Sequence, residues 1–155
     1  MKKPQHHPNF VEAIYILRPL LREYQPLAVM QFEDLCDWMS WYWNRGTMTF
    51  IFGPDRTEAL GVCMIRLFRR LDQFMDRDVH DPCGKFCFIE LSIAKDGRIM
   101  GLMLEELENR WGPQEIMMWD RGELTEKGAP RMYRWPQFKK LAQRLSLWDH
   151  HLNPK

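Results

Sequence analysis

The sequence predicts an α/β (α+β) domain, with a mixed, mostly antiparallel central sheet flanked by helices. Three observations predict it. Two segments with helical apolar spacing come first, followed by two β-branched, aromatic runs at 47–52 and 59–69 that can pair as a hairpin. Then FCFIELSIAKDGRIMGLMLEELENRWG, residues 86–112, opens as an apolar strand and closes as an amphipathic helix. With strand-like residues following it, this stretch makes a β-α-β crossover.

Taken in order, residues 1–8 are rich in Pro and His and read as a frayed N-terminus. Phe10, Val11, Ala13, Ile14, Ile16 and Leu17 follow helical spacing, with Asn9 as the N-cap and Pro19 ending or kinking the helix near Leu17. A second helix spans 32–44, with Phe32, Leu35, Cys36, Met39 and Tyr42 on one face and Arg45-Gly46 as its stop. The hairpin strands turn through Gly53-Pro54-Asp55, and residues 70–84 form a charged loop. A third strand runs over 85–94 and a helix over 98–110, closed by Gly112-Pro113. Beyond a strand at 115–119, the polar connector RGELTEKGAP leads to an edge strand near 131–135 and a last helix from Pro136 to Leu145. The domain therefore occupies 9–147, and 148–155 is a tail.

Composition narrows the function. The 155 residues carry 22 basic and 21 acidic side chains, a balance that argues against a protein built to neutralise nucleic-acid phosphates. No apolar run approaches the roughly 20 residues of a membrane span, and the N-terminus lacks the apolar core of a secretory signal. The expectation is a cytoplasmic protein with reduced thiols and no membrane partner. Cys36 and Cys63 sit in apolar periodic segments and read as core residues. Cys83 and Cys87, spaced as a single half-site without a second pair, do not make a zinc centre, so no metal is expected.

The turn at 94–101 is the most informative local feature. A strand entering a helix through a glycine-bearing turn presents the first helical amides, which lack intrahelical partners, together with the positive end of the helix dipole. That is an anion site in waiting, and Arg98 adds a charge to it. Neither Gly-x-x-x-x-Gly-Lys-Ser/Thr nor Gly-x-Gly-x-x-Gly is present. What stands at the helix start is Arg98-x-x-Gly101-x-Met103, behind a strand bearing Glu90. Here the chain resembles the GNAT superfamily of acyl-CoA-dependent N-acyltransferases, whose motif is Gln/Arg-x-x-Gly-x-Gly/Ala between a strand and a helix. Element order resembles the family over residues 8–145, and the sequence itself over 86–119. Met103 departs from the pattern, and the turn before Arg98 is one residue short.

The resemblance implies a single GNAT-like domain that transfers an acyl group, acetyl above all, from acetyl-CoA or CoA thioesters to an amine acceptor. It implies that the backbone amides of Arg98, Ile99, Met100, Gly101, Leu102 and Met103 hold the CoA diphosphate. Ile93 would pair with the pantetheine arm in a wedge between strands 86–94 and 115–119. It implies Glu90 as the base that takes the ammonium proton. The family's acid, a tyrosine on a later helix, has no counterpart after Trp119, and Tyr133 is the nearest candidate. A catalytically silent binding or structural module of the same fold is the first alternative. The second is a nucleic-acid binder using Arg131, Arg134, Lys139, Lys140 and Arg144 among Tyr133, Trp135 and Phe138. Trp38, Trp41 and Tyr42 read as core before pocket wall, with Asp34 and Asp37 as acids that attract a cationic acceptor. Both a small molecule and a protein are open as the acceptor, and a second copy of the chain is a further candidate partner.

Overall fold

The computed structural model describes residues 6–76, 78–119 and 131–142. Helix α1 (Pro8–Leu21) opens the chain, followed by a single turn α2 (Gln25–Ala28) and by α3 (Phe32–Arg45). The hairpin β1 (Met48–Phe52) and β2 (Ala59–Phe68) comes next, and a 3₁₀ turn (Leu71–Met75) lies in the predicted loop. Then follow β3 (Phe86–Ala94), α4 (Gly97–Trp111), β4 (Ile116–Trp119), β5 (Arg131–Arg134) and a helical segment, α5, over 135–142. The polar connector at 121–130, the end of the last helix near Leu145 and the tail at 148–155 lie outside the described residues.

The strands lie in chain order, β1-β2-β3-β4-β5. Every neighbouring pair is antiparallel except β3 and β4, which α4 joins in parallel. The domain is thus α+β with a mixed, mostly antiparallel sheet flanked by helices. Each face buries its own core. On one face, Ile14, Leu17 and Leu21 of α1 and Leu35 and Met39 of α3 pack on Met48, Val62 and Met64. On the other, Met103, Leu104 and Leu107 of α4 and Phe138 and Ala142 of α5 pack on Cys63, Ile65, Leu67 and Met117. Non-polar burial of this extent on both faces is the dominant favourable term in folding. No helix among the described residues is long and apolar enough to cross a membrane.

Two expectations about α1 are corrected. Asn9 is not the cap: Pro8 takes the first helical position, where its missing N–H costs nothing, and the His7 ring nitrogen Nδ1 accepts the Asn9 N–H at 3.1 Å. Nor does Pro19 end the helix, which continues to Leu21. Pro19 lies on the exposed face in the last turn, and Tyr15, whose carbonyl loses its helical donor, is itself an exposed residue, while Leu20 and Leu21 are held in the core. The N-terminus is anchored earlier than predicted, since His6 Nε2 lies 2.9 Å from Asp37 Oδ1 and its ring packs edge-on against Phe10. Gly46 ends α3 in the left-handed region (φ 70°) as its position predicts.

Candidate functional site

The register of β2 against β3 slips once. Met64 faces Leu91 and Ile65 faces Ile89, leaving Glu90 as the extra residue of a β-bulge. A bulge reverses the alternation of side chains: Cys87 and Ile89 belong to the α4 face, Leu91 and Ile93 to the α1–α3 face. Glu90 stands at this reversal, half-buried on the α1–α3 face. Its Oε2 is 3.9 Å from Arg66 Nε, an ion pair without a hydrogen bond.

Arg66 is itself 2% exposed, an isolated charge in an apolar strand. Its two terminal nitrogens donate to the Asp76 and Phe74 carbonyls at 2.6 and 2.7 Å, and its guanidinium lies 5.2 Å from the Phe88 ring centre. The buried Nε has no hydrogen-bond partner. Phe74, in the 3₁₀ turn, stacks on Phe88. The 70–84 loop therefore folds over this face and holds Arg66 through main-chain oxygens. Reasoning from the sequence passes over Arg66, although a single arginine within VCMIRLF is the signal that a buried charge needs partners.

β3 pairs with β4 only over Phe86–Ile89. Beyond the bulge, Glu90 to Ala94 have no strand on that side among the described residues. This open half of β3 leads into α4. Asp96 caps the helix: its Oδ1 accepts the Ile99 N–H at 2.9 Å, and its carbonyl accepts the Met100 N–H at 3.1 Å. Gly101, Leu102 and Met103 lie deeper in the helix, where amides bond to carbonyls one turn back. Of the six amides expected to hold a diphosphate, that of Arg98 remains without a partner among the described residues, joined by that of Gly97. Asp96 is readable from sequence as an Asp N-cap, and its carboxylate occupies part of the space reserved for an anion.

The remaining predicted side chains divide. Arg98 is exposed at the mouth of this corner, and Ile93 is half-buried on the open half of β3. Ile99, Met100 and Met103 are buried and point into the sheet, whereas Leu102 is exposed on the flank of α4 beside the β1 edge. A Cβ on Gly61 would stand 2.7 Å from Ile99 Cγ2 and 3.0 Å from Met103 Sδ, so the first turns of α4 rest directly on β2. Met103 thus fills a packing role at its position in the motif.

Glu90 and Tyr133 are not brought together. Tyr133 faces Met117 across β4–β5 and packs on Phe138 within the α4-side core, on the opposite face of the sheet from Glu90. Strand parity alone forbids their meeting, so Tyr133 does not serve as the acid to Glu90's base.

The aromatic helix α3 is largely structural. Tyr42 is buried, Trp38 packs on the same core, and Trp43 lies between Phe10 and Phe50. Asp37 faces the His6 ring, and Asp34 lies in the first turn of α3. Trp41 and Trp111 both meet the His80 ring edge-on, and His80 Nδ1 accepts the Leu67 N–H at 3.1 Å. Burial, with the Arg45 charge nearby, pushes the His80 imidazole below its ordinary value. In the basic C-terminal run, Lys139 Nζ is paired with Glu108 Oε2 at 3.0 Å, while Arg134 and Lys140 are exposed. Arg144 lies outside the described residues. Cys87 is buried in the core, its thiol pushed well up by burial, while Cys83 is exposed. Comparison with protein-family models, with curated proteins and with solved structures finds no match to this chain.

Proposed function

We propose that the chain is a divergent GNAT-like protein that binds an acyl-CoA, acetyl-CoA above all, and transfers the acyl group to an amine. One observation carries this reading: the bulge at Glu90 coincides with the end of β4 pairing, so that among the described residues the β4 side of β3 is open beside the start of α4. An extended pantetheine arm, with its own amides, suits such a main-chain edge at Ile93. The diphosphate then meets the Gly97 and Arg98 amides and the Arg98 side chain rather than the amides further into α4. The acceptor enters on the face where Glu90 and Arg66 lie. Its ammonium proton passes to Glu90, the freed nitrogen attacks the thioester carbonyl, and the C–N bond forms. The C–S bond breaks as the second proton of that nitrogen passes to the departing sulfur, releasing the amide and the CoA thiol. We place this activity in the cytoplasm, in keeping with four free cysteines.

The Asp96 carboxylate, which competes with a diphosphate for the α4 amides, favours a second reading, a binding or structural module of the same fold that has lost catalysis. Isothermal titration with CoA and acetyl-CoA separates the two. Saturable binding with thiol release in the presence of amines supports transfer, and binding without release supports a silent module that keeps the ligand. Absence of binding at about 1 mM removes the acyl-CoA reading altogether. Glu90→Gln, retaining the shape of the side chain, lowers turnover by about 10²–10⁴ if Glu90 is the base. An unchanged rate retires that role.

A further inference from the structure

Strand β1 forms one end of the sheet, and among the described residues β2 is its only neighbour. The Ile65 N–H donates to the Thr47 carbonyl at 3.0 Å, which sets the phase of the ladder. With Thr49 opposite Cys63 and Ile51 opposite Gly61, these alternate residues turn their backbones to β2, and Met48 and Phe50 turn theirs outward. A cleft of about 950 Å³ runs along this outward edge, walled by α1 on one side and α4 on the other. An edge of this kind is a template for another strand. Because helices flank it on both sides, a lone extended segment reaches it, whereas the β1 of a second copy, walled by its own α1 and α4, collides.

The walls state the chemistry of the occupant. Glu12 on α1 and Glu105 on α4 are exposed and have no ion-pair partner among the described residues, whereas the neighbouring Glu106 is held by Arg110 at 2.9 Å. The one other cation on the lining, Arg56, lies 5.5 Å from the Phe52 ring centre, so carboxylates outnumber it two to one. Ile16 and Leu102 offer apolar surface to either side. Thr49, 3% exposed and on the lining of the cleft, has a hydroxyl without a hydrogen-bond partner. Successive residues of a strand point to opposite faces, so basic side chains on both faces of a bound strand meet both carboxylates.

We propose that this cleft is a docking site for an extended, basic peptide segment that adds to the sheet beside β1. Main-chain hydrogen bonds to Met48 and Phe50 supply affinity, and Lys or Arg side chains directed at Glu12 and Glu105 supply selectivity. The site lies on the far edge of the sheet from the open half of β3, and it stands independently of acyl transfer.

The test uses the full chain and a fluorescein-labelled synthetic peptide of alternating threonine and valine with a central Lys-Lys pair. Fluorescence anisotropy is expected to show saturable binding, weakened about tenfold by Glu12→Lys with Glu105→Lys and abolished by N-methylating alternate amides of the peptide. Hydrogen exchange is expected to slow at Met48 and Phe50 on binding. No saturation at about 1 mM overturns the proposal. So does binding indifferent to N-methylation, which is charge attraction alone, or protection that appears elsewhere. Protection already present in the free chain and growing with protein concentration assigns the edge to a second copy instead. Protection lost on deleting 1–5 or 143–155 assigns it to the chain's own ends. Either result overturns a basic partner peptide.

Discussion

Gly61→Ala tests the seat of α4, and with it the corner where the open half of β3 meets the helix. Gly61 lies opposite Ala94 and directly beneath the first turns of α4. An added methyl group would stand 2.7 Å from Ile99 Cγ2, 3.0 Å from Met103 Sδ and 3.2 Å from the Ile93 carbonyl oxygen. Met103 can swing its sulfur away, but Ile99 is branched and buried, and the Ile93 oxygen belongs to the sheet. Overpacking of this kind costs about 1–3 kcal/mol. Against it, Gly61 is not among the glycines of positive φ, so alanine also reduces the entropy of the unfolded chain by about 0.4–1 kcal/mol. The net expectation is a loss of about 1–2 kcal/mol, or about 3–6 °C in Tm for a chain of this length. Urea unfolding should show a lower midpoint at an unchanged slope. The diagnostic step is the double variant with Ile99→Ala. Removing the branched side chain makes room for the new methyl, so the two losses should combine to less than their sum by at least about 0.5 kcal/mol. Strict additivity, or a Gly61→Ala protein as stable as the parent, would refute this seating of α4.

Gly84→Ala should be the harsher glycine substitution, costing about 3 kcal/mol or more in the same unfolding assay. Its Cβ would meet the backbone N, C and O of Phe68 at 2.6–2.7 Å, and no side-chain motion relieves a clash with main chain. At the α4 cap, Asp96→Ala should lower stability by about 1 kcal/mol, whereas Asp96→Asn should keep most of the cap. If CoA binds at this corner, Asp96→Asn should also tighten it, since one negative charge leaves the neighbourhood of the diphosphate, and titration reads the change directly. Stability should fall as pH drops below about 6.5, the ordinary histidine value, because burial holds His80 below it and the unfolded chain then binds a proton that the folded chain refuses. Urea midpoints between pH 5 and 8 measure this slope, and His80→Asn, which retains an acceptor for the Leu67 N–H, should flatten it.

The helices and strands are legible because their signals are local. Gly46 and Gly112 close α3 and α4 where the sequence places them, and the runs at 48–52, 59–68 and 86–94 carry β-branched and aromatic residues in a density that only strands use. The start of α1 escapes a sequence reading because histidine is not a usual cap, and Pro19 misleads because its tolerance depends on which face of the helix meets water. Features of the site that depend on register are not legible. A bulge is a relation between two strands, so nothing within FCFIELSIA marks Glu90 as its extra residue. For the same reason the opposition of Glu90 and Tyr133 across the sheet appears only once Met117 is known to face Tyr133. Arg66 is the exception, since a lone charge in an apolar strand demands partners on the strength of its sequence neighbours alone.

The two open main-chain edges differ in what they ask of a ligand, and that difference ties the fold to both proposals. Backbone donors and acceptors left unpaired at a strand edge must bond to water or to something else. Along β1 the walls come from one helix on either side. Among the described residues the unpaired charges there are two carboxylates, Glu12 and Glu105, against one guanidinium, Arg56, so the acidic excess favours an extended cation. Along the end of β3, the wall is the start of a helix, with its amides and Arg98. That corner would select an anion were Asp96 not already seated on the Ile99 amide. A cap carboxylate and a diphosphate compete for the same partial positive charge, each gaining up to about 1 kcal/mol from it when exposed. The strength of CoA binding therefore turns on whether Gly97 and Arg98 outweigh one fixed carboxylate. Comparing Asp96→Asn with Arg98→Ala in the same titration weighs the two terms. If the first tightens binding and the second weakens it, the diphosphate lies at this corner. If neither moves it, any CoA bound lies elsewhere on the domain.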